Sequence, residues 1–294
     1  MPLITVAKDG SGDFSTIQEA IHSVRVHPLD PVTILIKSGH YHERIFIPEN
    51  KPTLTLMGED KEKTVITYDD HANMLGENGK PIGTFQTPTM KILADQTQLK
   101  NLTIQNIAGH GEDVGQALAL SVSGDQCYYE NLQLLGYQDT LYTCKGRHAF
   151  KNCTIAGDID FIFGAAEAIF QQCTIHSLRR GYITAASTPA NQRYGFIFLN
   201  CKLTGDAEPN SVYLGRPWRP YAHTLFINCW MDEHIKQTGW DNWRNESNEQ
   251  TARYGESCSE GPGALSSKRV QWATEEGNLA EIEHRLSCLE IEGV

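Results

Sequence analysis

One six-residue pattern recurs six times between residues 99 and 231 and limits the chain to few folds. The copies are Leu99-Lys100-Asn101-Leu102-Thr103-Ile104, Tyr129-Glu130-Asn131-Leu132-Gln133-Leu134, Phe150-Lys151-Asn152-Cys153-Thr154-Ile155, Phe170-Gln171-Gln172-Cys173-Thr174-Ile175, Phe198-Leu199-Asn200-Cys201-Lys202-Leu203 and Phe226-Ile227-Asn228-Cys229-Trp230-Met231. Their spacing of 20 to 30 residues suits the turns of a solenoid better than helical repeats or propeller blades. The first, fourth and sixth positions are apolar, so strict alternation breaks near the amide and the chain must bend there. Asn tolerates the left-handed backbone of such a bend, and stacked amides can hydrogen-bond from turn to turn. The expected fold is all-β, a right-handed parallel β-helix, its hand taken from the crossover rule for parallel strands.

The open ends of a stack need covers. Ile17, Ala20, Ile21 and Val24 fall at helical spacing, with Ser15 as N-cap and Gln18 three residues on, which predicts a capping helix over about 15–25. Strand-like runs follow at Val32 to Ile36 and Leu54 to Met57. After Trp240 the repeats stop, and the polar stretch over about 242–294 reads as loops, with a final helix from Glu275 to Leu286 along the stack. The whole of 1–294 is taken as a single domain.

Within the repeats lie two carboxylate motifs, Gln138-Asp139-Thr140-Leu141-Tyr142 and Asp160-Phe161-Ile162-Phe163-Gly164. The two aspartates are 21 residues apart and each falls eight residues after the Asn of its own repeat. On neighbouring turns equivalent positions lie about 4.8 Å apart, which sets the two carboxylates side by side. Such a pair cannot ionise cheaply at both members, so one can serve as acid while the other stays an anion. Read alone, two aspartates are more commonly solvated loop residues, but Tyr142, Phe161 and Phe163 around them argue against a solvated face.

The net charge of -11 offers no dense cationic face for phosphates, which excludes nucleic acid as a partner. No apolar run is long enough to span a bilayer. His40, His42 and Glu43 could be read as metal ligands, but no further ligand cluster stands near them in sequence, and no C-x-x-C spacing supports a zinc site. Cys153, Cys173, Cys201 and Cys229 share one repeat position and read as a column of small buried thiols. Cys153 and Cys173, on adjacent turns, could bridge in an oxidising compartment.

Three further residues fall into register with the carboxylates. Gln116 lies 22 residues before Gln138, about one turn lower, and both amides could donate to a developing oxyanion. Arg216, in Leu214-Gly215-Arg216-Pro217-Trp218, brings a permanent cation that would hold one aspartate as the anion. A carboxylate nucleophile, a protonated carboxylic acid and an amide-lined oxyanion site together suit acyl transfer from an ester.

With these motifs the chain resembles the pectin methylesterases, the pectinesterase family. Gly39-His40-Tyr41-His42-Glu43, Gly83-Thr84-Phe85, Gln116 to Leu120, Gln138 to Tyr142, Asp160 to Gly164 and Leu214 to Trp218 occur in the family's order, and Gly261-Pro262-Gly263-Ala264 followed by Arg269-Val270-Gln271-Trp272 is similar to its C-terminal signature. The resemblance implies a parallel β-helix that releases methanol from the methyl-esterified C6 carboxyl of galacturonate in pectin. It implies Asp160 as nucleophile, Asp139 as general acid and base, Gln116 and Gln138 on the oxyanion, and Arg216 holding Asp160. It implies Thr84, Tyr142, Phe163 and Trp218 as sugar-contacting residues of the groove, with methyl-esterified homogalacturonan or its oligosaccharides as partner, no cofactor or metal, no membrane, and a monomer. The start Met1-Pro2-Leu3-Ile4-Thr5-Val6 has no signal-peptide character, so the chain reads as cytoplasmic as written. Because family members are usually exported, a mature secreted or periplasmic form is the alternative.

Two rivals share the fold expectation. A polysaccharide lyase would want an acidic calcium cluster, for which Asp158 with Asp160 is the nearby candidate. A non-catalytic carbohydrate-binding β-helix would be expected to lack at least one of the five polar site residues, and all five are present. No Gly-x-Ser-x-Gly segment offers a serine nucleophile.

Overall fold

The computed structural model describes residues 3–264 and 267–289. The chain winds as a right-handed parallel β-helix whose named strands all pair in parallel. One sheet stacks ten strands from Leu3–Val6 to Arg253–Ser257. The other face consists of two ladders. Gly39–His42, Thr64–Tyr68, Thr103–Asn106 and Gln133–Leu135 form one; Ile45–Ile47, Met90–Ile92, Leu120–Val122 and Leu141–Thr143 form the other. Two long strands, Thr154–Gly164 and Thr174–Ala186, run through both ladders and fuse them into one sheet of 13 strands.

The bend expected at the amide is present in every copy. Asn101, Asn131, Asn152, Gln172, Asn200 and Asn228 all have φ between 52° and 55°, and Asn131 Nδ2 donates to Asn101 Oδ1 at 2.8 Å. Inside the coil, Tyr129, Phe150, Phe170, Phe198 and Phe226 stack with ring centroids 4.4, 4.8, 4.6 and 4.4 Å apart. Each buried ring contributes about 1.5–3 kcal/mol by leaving water. The four column cysteines are buried and remain thiols, each donating to a carbonyl of the turn below, so Cys153 and Cys173 do not bridge.

Several expectations shift. The first helix is Ile17–Ser23, and its N-cap is Thr16, not Ser15; the Thr16 hydroxyl accepts from Glu19 N and donates to the Glu19 carboxylate. The Glu43 carboxylate caps the same helix, accepting from Ile17 N and Gln18 N at 3.1 Å, so its lone pairs serve the backbone. His42 stacks on Tyr68 with centroids 4.7 Å apart, and His40 is exposed. The final helix is Leu279–Ser287, starting four residues later than expected because Asn278 caps it through Glu281 N. It lies over the ten-stranded sheet, where Arg285 grips Glu167 with contacts of 2.8 and 3.0 Å. The stretch after Trp240 is not all loop: Arg253–Ser257 adds a tenth strand beside His223–Ile227. The last residues of the expected C-terminal segment, 290–294, lie outside the described residues.

Candidate active site

The two ladders leave a seam between them, and the seam carries both aspartates. Strand Gln133–Leu135 ends before it and Leu141–Thr143 begins after it, so Tyr137, Gln138 and Asp139 cross it as an irregular link. On the next turn the long strand Thr154–Gly164 crosses the same seam with register shifts on either side of Ile159. Asp139 and Asp160 both sit there with left-handed backbone, φ 66° and 51°. Asp139 N donates to Ile159 O at 3.0 Å, and the pairs Leu141 with Ile162 and Tyr142 with Phe163 are in register just beyond. The two aspartates are therefore on adjacent turns, as their spacing implied. Gly164 closes the motif with φ 128°, and a Cβ there would lie 2.0 Å from Thr143 O.

Arg216 grips Asp160 in a two-point contact, Nε to Oδ1 at 2.8 Å and Nη2 to Oδ2 at 2.6 Å. The guanidinium is itself clamped between two rings, 3.9 Å from the Tyr182 centroid and 3.8 Å from that of Trp243. Among the described residues Asp139 has no such partner. Both carboxylates are buried, 8% and 6% exposed. Burial pushes Asp139 well above the usual carboxylate range and the negative Asp160 and Asp158 add to this, against a smaller pull from Arg216. Arg216, expected to hold its aspartate as the anion, does so only in part: burial raises Asp160 too, and Arg216 pulls it part of the way back. Asp139 is the more strongly raised of the two, and Asp160 is the one tied to a fixed cation.

A cavity of about 420 Å³ opens over the pair, lined by Thr84, Phe85, Gln116, Gln138, Asp139, Asp160, Phe163, Ala185, Arg216, Trp218 and Trp243. All five polar residues singled out in the sequence thus meet at one site. Of the groove residues, Thr84, Phe163 and Trp218 line the cavity, whereas Tyr142 supports it from the side, stacked on Phe163 at 4.7 Å and tilted against Phe85 at 5.0 Å. Trp218 meets Phe163 edge-on at 5.8 Å. Asp158 does not join Asp160 as a cation-binding cluster, because Arg179 already holds it at 3.0 Å. Sequence reasoning missed Trp243, Tyr182 and Phe85 as site residues. Two tryptophans close together in a polar stretch, Trp240 and Trp243, were the available signal.

The arrangement combines a carboxylate gripped by a fixed guanidinium, a second buried carboxyl whose burial favours its proton, two amide side chains on the cavity wall and aromatic walls. That set can perform acyl transfer on an ester of a ring-shaped polar substrate.

The family model of Pectinesterase matches residues 3–285. Pectinesterase 31 of Arabidopsis thaliana is 36% identical over 278 residues, which cover 93% of this chain and 87% of that protein. Among solved structures, the pectin methylesterase from carrot superposes with a TM-score of 0.87 at 31% identity, covering 96% of this chain and 90% of that one. A pectin methylesterase mutant solved in complex with a hexasaccharide superposes with a TM-score of 0.84 at 32% identity, covering 99% and 97%.

Proposed function

The chain belongs to the pectinesterase family, and we propose that it hydrolyses the C6 methyl ester of galacturonate units in pectin, releasing methanol and leaving pectate. It is a carboxylic ester hydrolase. In the reading favoured here, an Asp160 oxygen attacks the C6 carbonyl carbon, and the carbonyl oxygen takes up negative charge between the amides of Gln116 and Gln138. Asp139 gives its proton to the departing methoxy oxygen, so methanol leaves and C6 remains joined to Asp160 as an acyl anhydride. Asp139, now ionised, takes a proton from water, whose oxygen attacks the same carbon. Asp160 departs as carboxylate, and both groups regain their starting states.

The observation that carries this reading is the asymmetry of the pair: Arg216 contacts Asp160 at two points while Asp139 is buried beside two negative charges. A nucleophile needs the charge that a guanidinium favours, and an acid needs the proton that burial favours. The walls of Thr84, Phe163 and Trp218, with Tyr142 supporting them, suit a sugar chain, and the related structure with a bound hexasaccharide supports an oligosaccharide in the groove. A part in pectin catabolism and cell wall modification follows from that chemistry. The test is the product formed from methyl-esterified polygalacturonate. Methanol released without shortening of the chain is expected; chain shortening without methanol would overturn the reading.

A further inference from the structure

A second polar column runs beside the catalytic one, and the mechanism above makes no use of it. Asp158, two residues before the nucleophile, is fully buried. Its Oδ2 accepts from Arg179 Nε at 3.1 Å and Nη2 at 3.0 Å, with His110 Nδ1 at 3.4 Å on its other side. Arg179 comes from an insertion in the neighbouring strand: between the pairs Gly157 with Ser177 and Ile159 with Tyr182, one strand advances two residues and the other five. Asp158 N donates to Tyr137 O at 3.1 Å, and the His110 ring packs edge-on against Tyr137 at 4.2 Å. His110 leads into Gly111, which lies so close to Gln138 that a Cβ there would be 2.2 Å from Gln138 Oε1. Tyr137 and Asp158 thus precede Gln138 and Asp160 by one and two residues, and His110 and Arg179 pack on them from other turns.

We propose that this column positions the catalytic groups, Asp158 clamped by Arg179 fixing the backbone that presents Asp160, and His110 fixing the link that presents Gln138. The proposal rests on the esterase reading and deepens it. A buried carboxylate is costly unless paired, and breaking such a pair is costly again, so an ion pair two residues from the nucleophile resists displacement of that backbone. It also places a fixed negative charge near the acid. The charged and titratable groups facing Asp139 are Asp160, Arg216 and Asp158; those facing Asp158 are Arg179 and the His110 ring; Arg179 also faces Glu112 at 3.6 Å, and Asp160 also feels Asp241.

The test is steady-state kinetics of the full chain on methyl-esterified polygalacturonate across pH. Asp158→Asn, of the same shape without the charge, is expected to lower kcat about tenfold to a hundredfold with KM little changed, as displaced reacting groups do. The sign of the pH effect is fixed: Asp139 must be protonated to act, Asp158 raises its pKa, and loss of that charge lowers it, so the high-pH limb of kcat moves to lower pH. Arg179→Lys keeps a cation on Asp158 and is expected to retain most of kcat. His110→Gln gives the second reading should Asp158→Asn fold poorly, with a loss in kcat and not in KM. If both variants lose thermal stability while kcat and the high-pH limb of their folded fraction match the unaltered protein, the column is structural and the proposal is overturned. Absence of methanol release by the unaltered protein would remove the esterase reading and the proposal with it, and that control tells the two failures apart.

Discussion

Asp139 and Asp160 have the same side chain, the same left-handed backbone and adjacent turns, so their environments alone can give them different work. Left-handed backbone in a residue other than Gly costs on the order of 1–3 kcal/mol and persists where surrounding structure enforces it. Here the seam enforces it twice, because both residues must leave the ladder to face the cavity. Arg216 lies on one side of the pair only, and the assignment of roles depends on that. In the proposed mechanism methoxide, a poor leaving group, takes the proton of Asp139. An ester with a better leaving group needs less protonation, so it should restore part of the rate lost in Asp139→Ala and none of that lost in Asp160→Ala. Turnover of an activated galacturonate ester by the two variants measures this; rescue of the Asp160 variant instead would reverse the roles.

At the scale of the element, each turn depends on one residue able to bend left-handedly between its sheet strand and its ladder strand. Asn200, with φ 55°, has an exposed side chain and keeps its backbone bond to Ile227 O at 3.0 Å whatever that side chain is. Asn200→Gly should therefore leave stability nearly unchanged, whereas Asn200→Val should cost about 1–2 kcal/mol, the penalty of this conformation for a β-branched residue that, unlike Asn, has no local hydrogen bond to ease it. Urea unfolding midpoints decide; equal losses in both would show that the amide matters and not the bend. The same bend explains what could be read in advance. Six turns announced themselves because a side chain, Asn or Gln, marks each corner next to an apolar column. Strand Arg253–Ser257 was invisible because its left-handed corner falls on Cys258, φ 52°, and the position in register with Phe226 is Glu256, so neither the amide nor the aromatic of the repeat is there to compare. The carboxylate pair was legible because its spacing equals the turn length. Trp243 and Tyr182 were not, since they reach Arg216 from different turns and no sequence period links them. The capping residue Glu43 was hidden for the same reason, lying 26 residues from the N–H of Ile17 that it satisfies.

The whole molecule carries a net charge of -11, and the proposed product, pectate, is a polyanion. Taken alone, that charge favours highly esterified, less charged substrate and speeds departure of the product. The surface near the site is not uniform, however. Beyond Tyr182, whose ring clamps Arg216, lies a second groove of about 470 Å³, lined among others by Tyr213, the cations Arg180 and Lys236 and the carboxylates Glu112 and Glu208. Tyr182 and Tyr213 stack at 5.1 Å, Lys236 lies 4.8 Å from the Tyr213 centroid, and neither Arg180 nor Lys236 forms an ion pair with a described residue. Screening separates the two fields by range: the Debye length is about 30 Å at 0.01 M salt and about 10 Å at 0.1 M. At the lower ionic strength a polyanion feels the whole chain, and at the higher one mainly the charges of the groove, where Arg180 and Lys236 outnumber Glu208, Glu112 being held by Arg179 at 3.6 Å. Inhibition of methanol release by polygalacturonate should accordingly be weak at about 0.01 M salt and strengthen toward about 0.1 M. Replacing Arg180 and Lys236 together by Ala should remove that gain, a change of a few-fold at most, since an exposed charge contributes about 0.2–1 kcal/mol. Inhibition that only weakens as salt is added, from the lowest ionic strength upward, would mean that local attraction outweighs the charge of the whole molecule, and would refute the argument from net charge.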